Sequence, residues 1–155
     1  MSINIWNDFQ SRSKGQFSSR TEAAKAYQLW KNQDWVALEK MMPPGAWLPN
    51  RGFVHVTPTT LQPGSRIDRY GGWYENGIFV DKGNFVAPAG APFEVRALKA
   101  EDINRPYTVY EVVKPIDANV GPAIPWFGQP GVGTQYELSA KLNELILDGS
   151  IKVVK

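Results

Sequence analysis

Cysteine is absent from this chain of 155 residues, and histidine occurs only once, at His55. A disulfide framework, thiolate metal sites and cysteine nucleophiles are therefore excluded, as are histidine-rich metal clusters and acid–base pairs of two histidines. The apolar alternation around His55 predicts a strand residue rather than a metal ligand or a catalytic base.

The sequence also lacks a large net charge. Its 17 Lys and Arg residues nearly balance its 15 Asp and Glu residues, which leaves a net charge of +2. That excess is too small to predict a dedicated nucleic-acid-binding domain.

Long hydrophobic runs are missing as well. No stretch of about 18 uninterrupted apolar residues occurs, so the sequence predicts no transmembrane helix and no membrane insertion. Residues 1–8 lack both the basic region and the apolar core of a signal peptide. We therefore expect any export address to lie elsewhere, for example on a longer parent chain.

Aromatic and apolar residues, by contrast, are plentiful enough for a hydrophobic core. Hydrophobic residues make up 43% of the chain, which includes six Trp, six Tyr and seven Phe. The length fits one domain of ordinary size. The chain also has 14 glycines and 12 prolines, most of them after residue 43, and these predict short strands and shaped loops there.

The first 42 residues are predicted to be helical. Ser19 and Glu22 have the spacing of a capping box. Behind them, the residues that recur at helical spacing on one apolar face are Ala23, Ala26, Tyr27 and Trp30. Asp34 is predicted to cap a second short helix that buries Trp35, Leu38 and Met42, and the prolines at 43 and 44 end that helix. We expect this helical part to pack against the sheet that follows.

Period-two alternation replaces the helical spacing between about residues 47 and 114. The predicted strands cover residues 53–56, 66–70, 78–80, 84–86 and 108–113. Turn signals separate them, and short strands joined by tight turns favour antiparallel pairing. A last helix with leucines at positions 138, 142 and 145, capped by Ser139 and ended by Gly149, precedes a final strand at residues 151–153.

This order of elements predicts an α+β fold, with short N-terminal helices, a mostly antiparallel β core of short strands, a C-terminal helix and a final strand. We expect a helical lead-in over residues 1–46 that packs on a core domain over residues 47–155. Together the two parts are expected to form one compact globular unit.

Two arginines stand among apolar neighbours, Arg69 in the segment 66–72 and Arg96 in the segment 91–98. An arginine in such a place is either ion-paired or bound to an anion, because guanidinium matches phosphate through two parallel hydrogen bonds. The segment 125–136 is rich in aromatics, glycine and glutamine, and glycines are costly to order. This segment is therefore either a loop whose backbone approaches a ligand or a tight surface turn anchored by its aromatic residues.

Five motifs follow one another along the chain, namely Asp68-Arg69-Tyr70-Gly71, Gly83-Asn84-Phe85, Pro92-Phe93-x-x-Arg96, Tyr107-x-x-Tyr110 and Gly128-Gln129-Pro130-Gly131-x-Gly133-Thr134-Gln135-Tyr136. In this order they resemble the tuberculosis necrotizing toxin (TNT) family of NAD(P)+ glycohydrolases. The resemblance covers about residues 47–154, and its last motif is the most specific. The helical front end is similar to the lead-in of bacterial polymorphic toxin domains.

The resemblance implies a role for each matched position. The implied catalytic residues are Gln135, Arg69 and Arg96, with the two arginines directed toward the dinucleotide phosphates. Tyr70 and Phe85 would line the nicotinamide end of the pocket. The further substrate-binding residues implied are Trp126, Phe127, Gln129 and Thr108, and no metal ligand is implied. Thr108 stands where some members of the family carry a histidine, so a mechanism that requires an imidazole base there cannot operate.

The function implied is that of a toxin or effector that hydrolyses the nicotinamide–ribose N-glycosidic bond and depletes NAD(P) in a target cell. The dinucleotide is the substrate, and no cofactor is implied. Two alternatives stay open, an ADP-ribosyltransferase and a non-catalytic module that binds ADP-ribose or another nucleotide. The first commonly needs an activating glutamate, and the nearest acids, Glu94 and Glu111, lie in no recognisable motif.

The resemblance to a toxin family also implies a protein partner and a way of delivery into the target cell. A cognate immunity protein is expected to plug the substrate cleft, where Trp126, Phe127 and the arginines offer anchors. The domain would be secreted or delivered by a secretion system and would act in the cytoplasm of the target cell.

Overall fold

The computed structural model describes residues 2–154, which begin with three helices and continue into strands. The helices are α1 (Ser2–Arg12), α2 (Arg20–Lys31), α3 (Trp35–Met41) and α4 (Leu142–Leu147). The strands are β1 (Thr57–Leu61), β2 (Arg66–Tyr70), β3 (Trp73–Glu75), β4 (Ile78–Val80), β5 (Phe85–Pro88), β6 (Tyr107–Val112), β7 (Ile116–Pro122), β8 (Thr134–Leu138) and β9 (Ile151–Val153). Short 3₁₀ turns cover Pro49–Gly52, Phe93–Val95 and Ala100–Asn104. The predicted α+β class, with helices first, an antiparallel core and a final helix and strand, is confirmed.

The starts of α2 and α3 follow the predicted capping residues. The Ser19 hydroxyl accepts a hydrogen bond from the Glu22 backbone N–H at 3.1 Å, and the Asp34 carboxylate accepts from Ala37 N at 3.3 Å. The Glu22 side chain accepts from the Ser18 hydroxyl at 2.9 Å instead of reaching back to the backbone of Ser19. Only the serine half of the predicted capping box is therefore formed.

The three N-terminal helices share a core with the end of β7 and the segment behind it. The apolar residues of this cluster include Phe9, Tyr27, Trp30, Leu38, Ala123, Ile124 and Trp126. The Trp30 indole donates a hydrogen bond to the Phe53 carbonyl at 3.0 Å, which ties α2 to the chain that leads into the sheet. The helical part is therefore bound to the β part by apolar packing and by a buried hydrogen bond.

Seven strands form one sheet in the order β1-β7-β8-β5-β2-β6-β9, and all neighbours in it are antiparallel. Strands β2 and β5 pair at only two positions, Ile67 with Pro88 and Asp68 with Ala87. Beyond Asp68 the two strands diverge, and the next side chain, that of Arg69, lies at this opening. Helix α4 packs with Leu142 and Leu145 in a second apolar cluster.

Strands β3 and β4 form a separate hairpin outside the main sheet. Its turn is Asn76-Gly77, and both residues have positive φ, 52° and 79°, as a two-residue hairpin turn requires. Among the helices of the described chain, none has both the length and the apolarity needed to cross a membrane.

Two predicted elements differ from the structure. The strand predicted at residues 53–56 is wrong, because Asn50, Arg51 and Gly52 have positive φ and turn the chain, which then makes only an isolated bridge from Phe53 to Ala123. His55 lies exposed in that bend, and the first strand begins at Thr57. The predicted last helix begins at Leu142 rather than behind Ser139, since residue 138 is the last of β8.

Candidate active site

A cleft of about 320 Å³ lies against β2, β5 and β8 and is walled by the segments 45–52 and 96–102. The predicted site residues that line it are Arg69, Phe85, Arg96, Phe127 and Gln135. A small crevice of about 60 Å³ shares four of these five residues and is also lined by Tyr70. The fold therefore brings together six residues from five separate places in the sequence.

Arg69 reaches the cleft from the opening between β2 and β5. Its Nε donates to Asp81 Oδ2 at 2.8 Å, and its Nη1 donates to the Phe85 carbonyl at 3.0 Å. Asp81 is buried and also accepts from Gly83 N at 2.9 Å, which holds the carboxylate in place. Because a guanidinium has five N–H groups, three remain uncommitted on a side chain that is 22% exposed.

Gly83 makes room for this guanidinium. A Cβ at residue 83 would lie 2.2 Å from Arg69 Nη2 and 2.3 Å from Arg69 Cζ, which is far inside contact distance. A larger residue in place of the glycine of the Gly83-Asn84-Phe85 motif would therefore displace the Arg69 guanidinium.

Arg96, in contrast, is almost fully committed inside the protein. It forms a two-pronged pair with Asp68, at 2.5 Å from Nη1 and 2.9 Å from Nη2, and donates twice to the Ala91 carbonyl. Four of its five N–H groups are thereby used. The Arg96 side chain is 7% exposed and the Asp68 side chain is fully buried. Arg96 holds the wall of the cleft and presents at most one free N–H.

Asp68 accepts two further hydrogen bonds, from Tyr107 Oη at 2.6 Å and from Gly90 N at 2.8 Å. Burial and the hydrogen bond to the Asp68 carboxylate raise the pKa of Tyr107 to about 12. Tyr107 is therefore protonated at neutral pH and cannot act there as a general base.

Tyr70 is held by the same cluster. Its ring centroid lies 5.0 Å from Arg96 Cζ, 4.8 Å from the Tyr107 ring and 5.1 Å from the Phe93 ring. These contacts fix the ring on three sides at the edge of the crevice.

Gln135 lies in strand β8 rather than in the loop before it. Its Nε2 donates to the Gly52 carbonyl at 2.9 Å, which leaves the Oε1 atom as the free acceptor. The same carbonyl accepts from Ile124 N at 2.9 Å. The left-handed turn at residues 50–52 sets this carbonyl in place, and the turn is tied to the end of α1 by a hydrogen bond from Asn50 N to Ser13 Oγ at 2.8 Å.

Several cleft residues were not predicted from the sequence, and three of them approach the aromatic rings of the cleft. Trp47 is 64% exposed, and its ring lies 6.3 Å from that of Phe85. The Arg51 guanidinium lies 5.8 Å from the Phe85 ring and pairs with Glu137. Lys99 Nζ lies 5.6 Å from the Phe127 ring. None of the ion pairs within residues 2–154 includes Lys99, whereas each of the three cleft arginines has a carboxylate partner.

Three residues of the predicted set are not brought to the cleft. Trp126 is 3% exposed in the core beneath the helices, so it cannot serve as the surface anchor expected for a partner. Thr108 is buried in β6, where it pairs in register with Arg69, and Gln129 is half-buried in its loop. Neither lines the cleft or the crevice. In residues 2–154, no group of three acidic or histidine side chains is close enough to hold a metal ion.

Comparison with known proteins adds three matches. The family model described as tuberculosis necrotizing toxin matches residues 60–154. The conidial surface nicotinamide adenine dinucleotide glycohydrolase nadA of Aspergillus fumigatus is 38% identical over 100 residues, which cover 60% of this chain and 39% of that protein. The solved structure of tuberculosis necrotizing toxin complexed with its immunity factor matches with a TM-score of 0.53 and 27% identity, over 68% of this chain and 60% of that one. The match thus spans about two fifths of the curated relative's length.

Proposed function

The chain belongs to the tuberculosis necrotizing toxin family, and from this premise we propose that it is an NAD(P)+ glycohydrolase that releases nicotinamide and ADP-ribose. The observation that carries the proposal is the cleft in which Arg69, Phe85 and Gln135 meet. The similarity to a protein named as an NAD glycohydrolase supports the same reaction.

The reaction suits a site without a pair of catalytic carboxylates. A water oxygen adds to C1′ of the ribose, the C1′–N bond breaks, its electron pair passes to the pyridinium nitrogen, and one proton is released. Because nicotinamide leaves as a neutral molecule, no general acid is needed, unlike in ordinary glycosidases. Catalysis then depends on positioning and on electrostatic stabilisation of the oxocarbenium-like transition state.

Phe85 and Tyr70 are the residues we propose for the nicotinamide end. A cationic ring is attracted to the face of an aromatic side chain. Phe85 is half-buried and lines both the cleft and the crevice, while Tyr70 lines the crevice beside it. Both rings are held by neighbouring side chains, so little ordering is required when substrate binds.

Arg69 is the arginine we propose for phosphate contact, since it has three uncommitted N–H groups directed from a partly exposed side chain. Arg96 has only one uncommitted N–H group, so we propose that it acts chiefly by holding Asp68 and the ring of Tyr70 in place. Gln135 would use its free Oε1 atom to accept a hydrogen bond from a ribose hydroxyl or from the attacking water.

The structure favours neither alternative function. Glu111 pairs with Arg66 at 3.3 Å and with Lys152 at 3.7 Å, and neither it nor Glu94 lines the cleft. An ADP-ribosyltransferase would therefore have to use an acidic residue other than Glu94 or Glu111. A non-catalytic module would bind ADP-ribose without releasing nicotinamide, and the assay below separates that case.

We also propose a cognate immunity protein that covers the cleft, because the matched solved structure is a complex of a toxin with its immunity factor. The exposed side chains that it would meet there are Trp47 and Lys99, together with the half-buried Phe127. Delivery into a target cell by a secretion system, with NAD(P) depletion in its cytoplasm, is part of the same proposal.

The test is to incubate the protein with NAD+ and, separately, with NADP+ and to follow nicotinamide and ADP-ribose by chromatography. We expect equimolar products without a protein acceptor. Gln135→Ala should lower kcat by about 10²-fold to 10³-fold, the range for losing one preorganised hydrogen-bonding group, with little change in KM. Its stability should fall by only about 1 kcal/mol, because the Gly52 carbonyl keeps the hydrogen bond from Ile124.

His55→Ala is the control, since His55 is exposed and lines neither the cleft nor the crevice. It should retain full activity. A folded protein that releases no nicotinamide from either dinucleotide would contradict the proposed function, and an unchanged kcat in Gln135→Ala would remove that residue from the mechanism.

A further inference from the structure

A second groove, of about 470 Å³, adjoins the candidate active site on the side of helix α3. Its lining includes Val36, Met42, Pro44, Trp126 and Phe127. The groove and the cleft share residues 45, 46 and 127 in their walls, so the two lie side by side. The groove lies largely on residues before position 60, outside the segment that the family model matches.

We propose that this groove binds the adenosine half of the dinucleotide, with the nicotinamide half in the cleft. The proposal rests on the proposed function for the identity of the substrate. It gives the N-terminal helical segment a direct part in substrate binding, in addition to its part in the core.

The sizes of the two spaces favour this division. Pockets for ordinary small ligands measure roughly 300–1,000 Å³, and the cleft, at about 320 Å³, stands at the lower end of that range. A dinucleotide carries two nucleosides, so a cleft that takes the nicotinamide side leaves the second base outside. The groove that shares residues 45, 46 and 127 with the cleft is the space next to it.

The lining chemistry fits a purine. Side chains of valine, methionine and proline and the ring of Phe127 give most of the groove apolar walls, and its two charged lining residues are Glu39 and Lys40. Purine rings are planar and polarisable, and they pack well on aromatic rings and on methionine sulfur. The groove is also preformed, because Trp126 is buried beneath it and Phe127 N donates to Glu39 Oε2 of helix α3 at 3.2 Å.

Lys99 marks the junction between the two spaces. It lines the cleft, and its Nζ lies 5.6 Å from the ring of Phe127, the residue that belongs to both walls. Because Lys99 takes part in none of the ion pairs of the described chain, its charge is free to attract an anion. The pyrophosphate of a dinucleotide that passes from cleft to groove would cross at this point.

Val36→Asp tests the groove. Val36 is 67% exposed in the first turn of α3, where an acidic residue is tolerated by the helix dipole, so the fold should be retained. For NAD+ we expect kcat/KM to fall by about tenfold, equivalent to about 1.4 kcal/mol. For nicotinamide mononucleotide, which lacks the adenosine half, the variant should match the wild type. Val153→Asp is the matched control, since Val153 is 54% exposed and lies outside the cleft and the groove.

AMP binding, measured by calorimetry, tests the groove without turnover. Wild-type protein and Val153→Asp should bind AMP alike, and Val36→Asp should bind it about tenfold more weakly. If no dinucleotide is cleaved but AMP binding depends on Val36, the proposed function fails and the groove assignment stands. If NAD+ is cleaved normally and AMP binding is absent or insensitive to Val36→Asp, the groove assignment is overturned. Equal losses on NAD+ and on nicotinamide mononucleotide would overturn it too.

Lys99→Gln tests the junction, with Lys25→Gln as the control on the exposed surface of α2. Only the Lys99 variant should lose affinity for NAD+, by about tenfold, and its binding should depend less on salt concentration. Identical behaviour of the two variants would overturn the path past Lys99.

Discussion

Removal of the Arg96 guanidinium is the perturbation that best separates a structural role from a substrate contact. The Arg96→Ala change leaves Asp68 fully buried with a negative charge and only two remaining donors, Tyr107 Oη and Gly90 N. Breaking a buried ion pair from one side costs about 3–5 kcal/mol. Because two donors remain, we expect a loss near 3 kcal/mol, out of a total of about 5–15 kcal/mol for a domain of this kind.

The measurement is urea unfolding at neutral pH, with thermal unfolding beside it. For a chain of this length, a loss of about 3 kcal/mol lowers Tm by about 6–12 °C. The double variant Arg96→Met with Asp68→Leu should recover more than half of the lost stability, because no unpaired charge is then buried. The groups that this change frees are Gly90 N, Tyr107 Oη and the Ala91 carbonyl. They can be hydrated, since Gly90 is exposed, Tyr107 is 42% exposed and Ala91 is partly exposed.

The opposite pattern would refute this reasoning. If Arg96→Ala unfolds within about 1 kcal/mol of the wild type while KM for the dinucleotide rises strongly, the guanidinium is a substrate contact and its pairing with Asp68 contributes little.

Two further changes probe the same region. Gly83→Ala should lower turnover by about 100-fold, because its methyl group displaces the Arg69 guanidinium and small misplacements of binding groups are costly. The control is Gly64→Ala, whose methyl group meets open space; its φ of +93° strains alanine, so this variant should lose stability but keep wild-type activity. The pKa of Tyr107 is about 12 in the folded protein against about 10 unfolded, so its stabilisation is present below pH 10 and is lost as pH rises towards 12. Urea midpoints across that range should fall less in Tyr107→Phe, and an equal fall in both proteins would count against the hydrogen bond to Asp68.

Features set by neighbouring residues were predicted correctly. Ser19 and Asp34 cap α2 and α3, and the strand predicted at residues 66–70 has the same bounds in the structure. Capping, alternation and turn chemistry operate over a few residues, so they can be inferred without knowledge of the tertiary fold. The family resemblance is confirmed by the family model, although that model begins at residue 60.

Features that depend on distant partners could not be predicted in this way. The alternation at residues 53–56 favours a strand, but the left-handed turn before it and the bridge to Ala123 produce a bend. The aromatic and glycine content of residues 125–136 indicated either a ligand loop or a tight surface turn anchored by its aromatic residues, and the burial of Trp126 under the helices was not visible in the sequence. Burial depends on what packs opposite a side chain, and the sequence around Trp126 does not show that.

The sequence alone determined the caps of α2 and α3, five of the nine described strands (β2, β4, β5, β6 and β9), the α+β class and the motifs that carry Arg69, Phe85 and Gln135. The tertiary structure decided which charges are free. Arg69 and Arg96 look equivalent in the sequence, and each pairs with a buried carboxylate, but Arg96 commits four of its five N–H groups inside the protein and Arg69 only two. Lys99, which belongs to no motif, has no acidic partner among the described ion pairs. The physical reason is that an ion pair depends on distance in space, and these partners lie up to 28 positions apart in the chain.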